Sequence, residues 1–123
     1  GGRIRLAGAG LPHPVLVHAD GTLDHLAAAG LLLGLVDEEM YTAGTEAVLE
    51  PAPGETLLMF SDGLTEAQNA DDLFFGEGPL EVAAADLAGA DCGDLVKGLA
   101  GRALEFGLPE ERDDLTVLGI TRR

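Results

Sequence analysis

Arg3-Ile-Arg-Leu-Ala alternates polar and apolar side chains, the two-residue period of a half-buried strand, and Gly8, Gly10 and Pro12 end it. Val15-Leu-Val-His and Thr22-Leu-Asp-His-Leu then flank Ala19-Asp20-Gly21, and Asp-Gly between two short apolar runs predicts a β-hairpin. Glu46-Ala-Val-Leu-Glu is a further strand candidate. Pro51, Pro53 and Gly54 turn the chain into Thr56 to Phe60, the strongest strand pattern in the sequence. Beyond Pro79 the apolar period lengthens: Leu80, Ala83, Ala84 and Leu87, then Leu95, Leu99, Ala103 and Phe106, follow helical spacing. Asp91 with Asp94 three residues on opens the second helix, and Gly107 with Pro109 closes it. Gly98 and Gly101 inside that helix each cost roughly 1 kcal/mol relative to Ala, so both are expected on a face packed closely against another element. Leu115 to Thr121 is a last strand. Strands, then two helices, then one strand predict an α+β fold with a mostly antiparallel sheet.

Composition narrows what such a fold does. The 123 residues are 46% hydrophobic and contain no linker-like tract, enough for one core and one folded unit, residues 1–123. No apolar run approaches the length that crosses a bilayer, so no membrane insertion is expected. The single cysteine, Cys92, excludes an internal disulfide and a cysteine-based metal cluster; it reads as structural and fits the reducing cytoplasm. Asp and Glu number 22 against 7 Lys and Arg, a formal charge of −15, which repels nucleic acid and anionic membrane. A phosphorylated substrate is repelled as well, and with so few basic side chains a bound divalent cation is the economical way to reverse the local sign. The chain starts without an initiator Met and inside a strand pattern, so it is expected to be a piece of something longer.

Two stretches carry an Asp-Gly pair at the end of an apolar run. Val15-Leu-Val-His-Ala-Asp-Gly-Thr resembles the opening motif of haloacid-dehalogenase-like phosphatases, but His18 stands where that motif needs its nucleophilic Asp, so no aspartyl-phosphate can form. The hairpin accounts for Asp20-Gly21, and His18 and His25 read as hairpin residues without metal-ligand spacing. Leu57-Leu-Met-Phe-Ser-Asp-Gly-Leu-Thr-Glu-Ala differs, because no matching strand follows Gly63 at hairpin distance. Arg112-Asp113-Asp114 also precedes the last strand directly. If the strands ending at Asp62 and beginning after Asp113 pair antiparallel, the two carboxylates meet at one rim of the sheet. They repel unless a cation lies between them, and oxygen-rich sites suit Mg²⁺ or Mn²⁺.

Ser61-Asp-Gly-Leu-Thr-Glu-Ala, Asn69-Ala, Phe75-Gly and Arg112-Asp-Asp-Leu-Thr, together with Gly34-Leu and Pro53-Gly-Glu-Thr, resemble the C-terminal half of bacterial metal-dependent protein Ser/Thr phosphatases of the PPM (type 2C) family. Within it they are most similar to the SpoIIE and RsbU-type phosphatases that act on anti-anti-sigma factors. The resemblance implies part of an α-β-β-α sandwich, with Asp62 and Asp113 as ligands to one of two Mn²⁺ or Mg²⁺ ions and Gly63 and Asp114 in supporting positions. It also implies a metal-activated water that attacks phosphorus in line, without a phosphoenzyme. The implied partner is a phosphorylated anti-anti-sigma protein of the STAS type.

The pattern departs from the family in two places. The bridging Asp and a metal-facing Gly belong to an N-terminal half that has no counterpart here, so the isolated chain is expected to be inactive. It is also expected to associate with a complementary segment or a second copy, because half of a two-sheet sandwich leaves sheet surface uncovered. Gly8 and Leu11 stand where the subgroup has Asn and His in Asn-Ala-Gly-His-Pro, which leaves open a non-catalytic relative that binds a signalling partner.

Overall fold

The computed structural model describes residues 2–40 and 44–123. Its strands are β1 (Ile4–Ala7), β2 (Val15–Val17), β3 (Leu23–His25), β4 (Glu46–Leu49), β5 (Thr56–Phe60) and β6 (Val117–Thr121). Three α-helices, α1 (Asp62–Thr65), α2 (Glu77–Asp86) and α3 (Cys92–Phe106), lie between β5 and β6. Every strand pairing is antiparallel, so the α+β class expected from the pattern is the one observed.

The larger sheet has the order β3-β2-β5-β6, and β1 pairs with β4 in a second, two-stranded sheet. β2 and β3 form the expected hairpin: the His18 amide donates to the Thr22 carbonyl, and Gly21 takes the left-handed conformation (φ 85°) that closes the three-residue loop. β5 sits in the middle because its five residues can be buried on both faces: Thr56, Leu57, Leu58 and Phe60 are all buried.

Period-two alternation divides the sheet. Val15, Val17, Leu58 and Phe60 pack against Leu80, Ala83 and Ala84 of α2 and Leu95, Leu99 and Ala103 of α3, forming the core. Burying each of the larger side chains contributes about 1.5–3 kcal/mol. The opposite face carries Leu57 and Met59 paired in register with Ile120 and Leu118. Leu118 and Ile120 remain 52% and 44% exposed. The small sheet approaches this face, where Leu6 and Ala7 share a crevice with Met59 and Phe60. The helices thus cover one face of the four-stranded sheet.

Asp91 caps α3 as expected, its carboxylate accepting from the Asp94 amide at 2.9 Å. The two α3 glycines part company. A Cβ on Gly98 would lie 2.7 Å from Leu87 Cδ1, so the glycine lets the Leu87 side chain at the end of α2 lie directly against α3. Gly101 has open space around it, which corrects the expectation that both face a neighbour. The close contact between α3 and the sheet is made instead by Gly119 of β6, where a Cβ would meet Cys92 Sγ at 2.7 Å and Val96 Cγ2 at 2.9 Å. Cys92 is accordingly a packing residue, free and partly buried.

Candidate metal-binding site

β5 and β6 pair as far as Phe60 opposite Val117, with Ser61 and Thr116 next along the two chains. At Ser61 the main chain leaves the ladder. Its carbonyl accepts from the Leu64 amide as α1 begins, while its amide still donates to the Thr116 carbonyl at 3.0 Å. The ladder bond that the turn removes is replaced by the side chain: the Thr116 amide donates to Ser61 Oγ at 2.9 Å, and the Ser61 hydroxyl donates to the Asp114 carbonyl at 3.0 Å. Ser61 occupies the N-cap position of α1, yet its hydroxyl makes no cap bond. The usual role of serine at that position is given up for a cross-strand splint.

Two residues on, Gly63 is buried and its Cα lies on the Asp114 main chain; a Cβ there would stand 2.2 Å from the Asp114 carbonyl oxygen. A cradle this tight fixes the spacing between the Asp62 segment and the Asp113–Asp114 segment. Asp113 folds one carboxylate oxygen, Oδ1, onto the Asp114 amide at 2.7 Å, and its other oxygen takes no part in that bond. Arg112 anchors the same segment to the last turn of α3 through a 2.9 Å bond from its guanidinium to the Leu104 carbonyl. Asp62, Asp113 and Asp114 are all exposed, and no Lys, Arg or His pairs with them among the described residues.

These residues fit a hard divalent cation as part of a larger set. The donors are carboxylate oxygens without a cationic partner, on two segments held at a fixed spacing. They do not enclose a cation alone: among the described residues no three His, Cys, Asp or Glu side chains are grouped to hold a metal. An ion held by Asp62 and Asp113 needs further oxygens from water or from another segment.

Other residues of the sequence pattern do architectural work around this rim. Asn69 accepts from the Asp71 and Leu73 amides, each at 3.0 Å, and so builds the tight turn between Gln68 and Phe74. Phe75 is buried and meets Phe106 edge-on, with ring centroids 5.6 Å apart, tying that turn to α3. The early loop also reaches the site. Leu11 lines one groove with Met59, Ser61 and Thr116, while a Cβ on Gly8 would lie 2.3 Å from the Ala28 carbonyl oxygen. The position the subgroup fills with Asn has no room for a side chain in this arrangement.

An antiparallel sheet backed by two helices in this order matches the fold of a PP2C-type phosphatase domain. Residues 1–123 match the profile of Stage II sporulation protein E (SpoIIE) along their whole length, and the chain belongs to that family. Among solved structures it is similar to the RsbU and RsbW domains of a Mycobacterium tuberculosis protein (25% identity, TM-score 0.77, covering 99% of this chain and 33% of that one). It is similar in fold to the SiaA PP2C domain of Pseudomonas aeruginosa (22% identity, TM-score 0.77, 99% of this chain and 47% of that one). The same holds for the PP2C phosphatase domain of SpoIIE from Bacillus subtilis, crystallised with a fragment of its regulatory domain (17% identity, TM-score 0.76, 97% and 34%). The chain therefore spans between a third and a half of these structures. No curated protein matches it by sequence. The family is metal-dependent, and the B. subtilis phosphatase domain has also been solved presoaked with Mn. No helix among the described residues is long and apolar enough to cross a membrane.

Proposed function

We propose that residues 1–123 are the later portion of a metal-dependent protein Ser/Thr phosphatase domain, in which Asp62 and Asp113 are ligands to one Mn²⁺ or Mg²⁺ ion. Gly63 and Asp114 set the spacing between the two ligands. The observation that carries this reading is the lock between the segments: Gly63 seated on the Asp114 carbonyl and Ser61 bridging to Asp114 and Thr116, in a chain of the SpoIIE family. When bound, the metal supplies Lewis acidity and lowers the pKa of water for attack on phosphorus. The chain's own contribution is to hold two anionic oxygen donors at a rigid strand end and to leave them free of competing cations.

The proposed substrate of the whole protein is a phosphorylated anti-anti-sigma factor of the STAS type, a reading that rests on the family subgroup. The chain by itself is proposed to be inactive, because two side chains supply too few ligands for a working centre. A second reading has its own observation. Leu11 puts an apolar side chain, 61% exposed, into the groove beside Ser61, where the subgroup has His, as a partner-binding relative would.

Calorimetric titration with Mn²⁺ tests the site. Binding that weakens at least tenfold in both Asp62→Ala and Asp113→Ala is expected; binding that neither substitution changes would overturn the assignment.

A further inference from the structure

We infer that Ser61 is a positioning residue for this metal site, acting through the backbone of the Asp113–Thr116 segment rather than on the metal. The inference rests on the reading of Asp62 and Asp113 as ligands and extends it to a group to which no ligand role is given. Three observations carry it. Ser61 bonds to the β6 approach through both backbone and side chain, as no other described residue does: amide to the Thr116 carbonyl at 3.0 Å, hydroxyl to the Asp114 carbonyl at 3.0 Å, and hydroxyl from the Thr116 amide at 2.9 Å. Its hydroxyl abandons the helix cap that its position offers. Finally, Asp62 follows it directly, and Asp113 immediately precedes one of its acceptors.

The chemistry requires a hydroxyl. Bridging an amide donor and a carbonyl acceptor needs one atom that accepts and donates at once, which Ser and Thr do and Ala, Cys and Val do not do well. Without it, the Thr116 amide and the Asp114 carbonyl lose their shared partner, and the loop bearing Asp113 keeps the Ser61 amide bond to the Thr116 carbonyl, the Gly63 contact, the Arg112 bond and Asp113's own bond to the Asp114 amide. Supporting partners that orient ligands typically change metal affinity by about 10–100-fold when removed. The structural alternative is that Ser61 merely stabilises the β5–β6 ladder. It predicts a lower melting temperature and, in protein that remains folded, an unchanged metal affinity.

The test is Mn²⁺ affinity and thermal unfolding, measured side by side at physiological salt for the chain, Ser61→Ala, Ser61→Thr and Asp62→Asn. Expected are a roughly tenfold or greater loss of affinity in Ser61→Ala, recovery to within about threefold in Ser61→Thr, and near-complete loss in Asp62→Asn. Asp62→Asn abolishing binding while folded Ser61→Ala binds like the parent would overturn the positioning role alone. Asp62→Asn binding like the parent would overturn the ligand assignment, and this inference with it. Exchange of the Thr116 amide in the unsubstituted chain reports independently of any variant's folding. Saturating Mg²⁺ is expected to slow it, and an unchanged rate at saturation would count against the role of Ser61.

Discussion

Both ring nitrogens of His18 face carboxylates: Nδ1 lies 2.6 Å from Glu55 Oε1 and Nε2 2.9 Å from Asp24 Oδ2. An ionised carboxylate only accepts, so the two contacts together favour the doubly protonated imidazolium form of the ring. The Glu55 bond, then the Asp24 bond, raises the His18 pKa, while burial opposes them. The same contact, with the Ala52 amide, lowers that of Glu55. His18 thus clamps the β2–β3 hairpin to the β4–β5 turn, at the end of β5 remote from Asp62. It is more than the plain hairpin residue that its sequence position implies. The raised His18 pKa contributes stability that is complete below the ordinary value of 6.5 and is lost as pH rises through the folded value. The lowered Glu55 pKa contributes above its ordinary 4.5 and is lost as pH falls through the folded value. The clamp is therefore strongest between those two values. Thermal unfolding at pH 6, 7.5 and 9 should show the chain losing a few degrees more than His18→Gln as pH rises. Parallel profiles would show that the clamp contributes nothing.

The relation between the β5–α1 corner and the approach to β6 sets the geometry of the site, and one missing methyl group sets that relation. Gly63→Ala would bring a Cβ to 2.2 Å from the Asp114 carbonyl oxygen, more than 1 Å inside ordinary contact, so the Asp113–Asp114 segment must move. The expected result is a destabilisation of about 1–3 kcal/mol in denaturant unfolding, with Mn²⁺ binding weakened at least as much as in Ser61→Ala. Unchanged stability and affinity would mean the two segments are not locked. Much of this element-level arrangement was legible in the sequence. The hairpin announced itself through Asp20-Gly21, β5 through its apolar run, and α3 through Asp91, Asp94 and the spacing of Leu95, Leu99 and Ala103. Pairing of β5 with β6 was only the condition under which Asp62 and Asp113 meet, and the structure supplies it. What stayed hidden were contacts between elements distant in sequence. Nothing in the local pattern separates Gly98, pressed on Leu87, from Gly101, which faces open space. Nothing marks Ser61 as a splint rather than a helix cap, because both use the same hydroxyl at the same position, and nothing local joins His18 to Glu55 across 37 residues.

At the scale of the whole molecule, charge and surface frame the chemistry. A net charge of −15 attracts any divalent cation loosely, but such attraction between exposed charges is largely screened beyond about 8 Å at physiological salt, whereas a ligand site persists. Leu118 and Ile120 lie on the sheet face opposite the helices, half exposed, and the chain spans only a third to a half of the phosphatase structures that it resembles. The catalytic proposal therefore concerns a longer protein in which this chain is joined to a segment that completes the phosphatase domain. The most direct measurement is phosphate release from a phosphoserine protein by that longer protein at physiological salt, with Mn²⁺ or with EDTA, unsubstituted and as Asp62→Asn and Asp113→Asn. The account predicts Mn²⁺-dependent release that EDTA abolishes and that each substitution lowers by about 100-fold or more, the loss of roughly 3 kcal/mol of transition-state stabilisation. Release that survives EDTA and both substitutions, or no release from the unsubstituted protein while it still binds its phosphorylated partner, would contradict it.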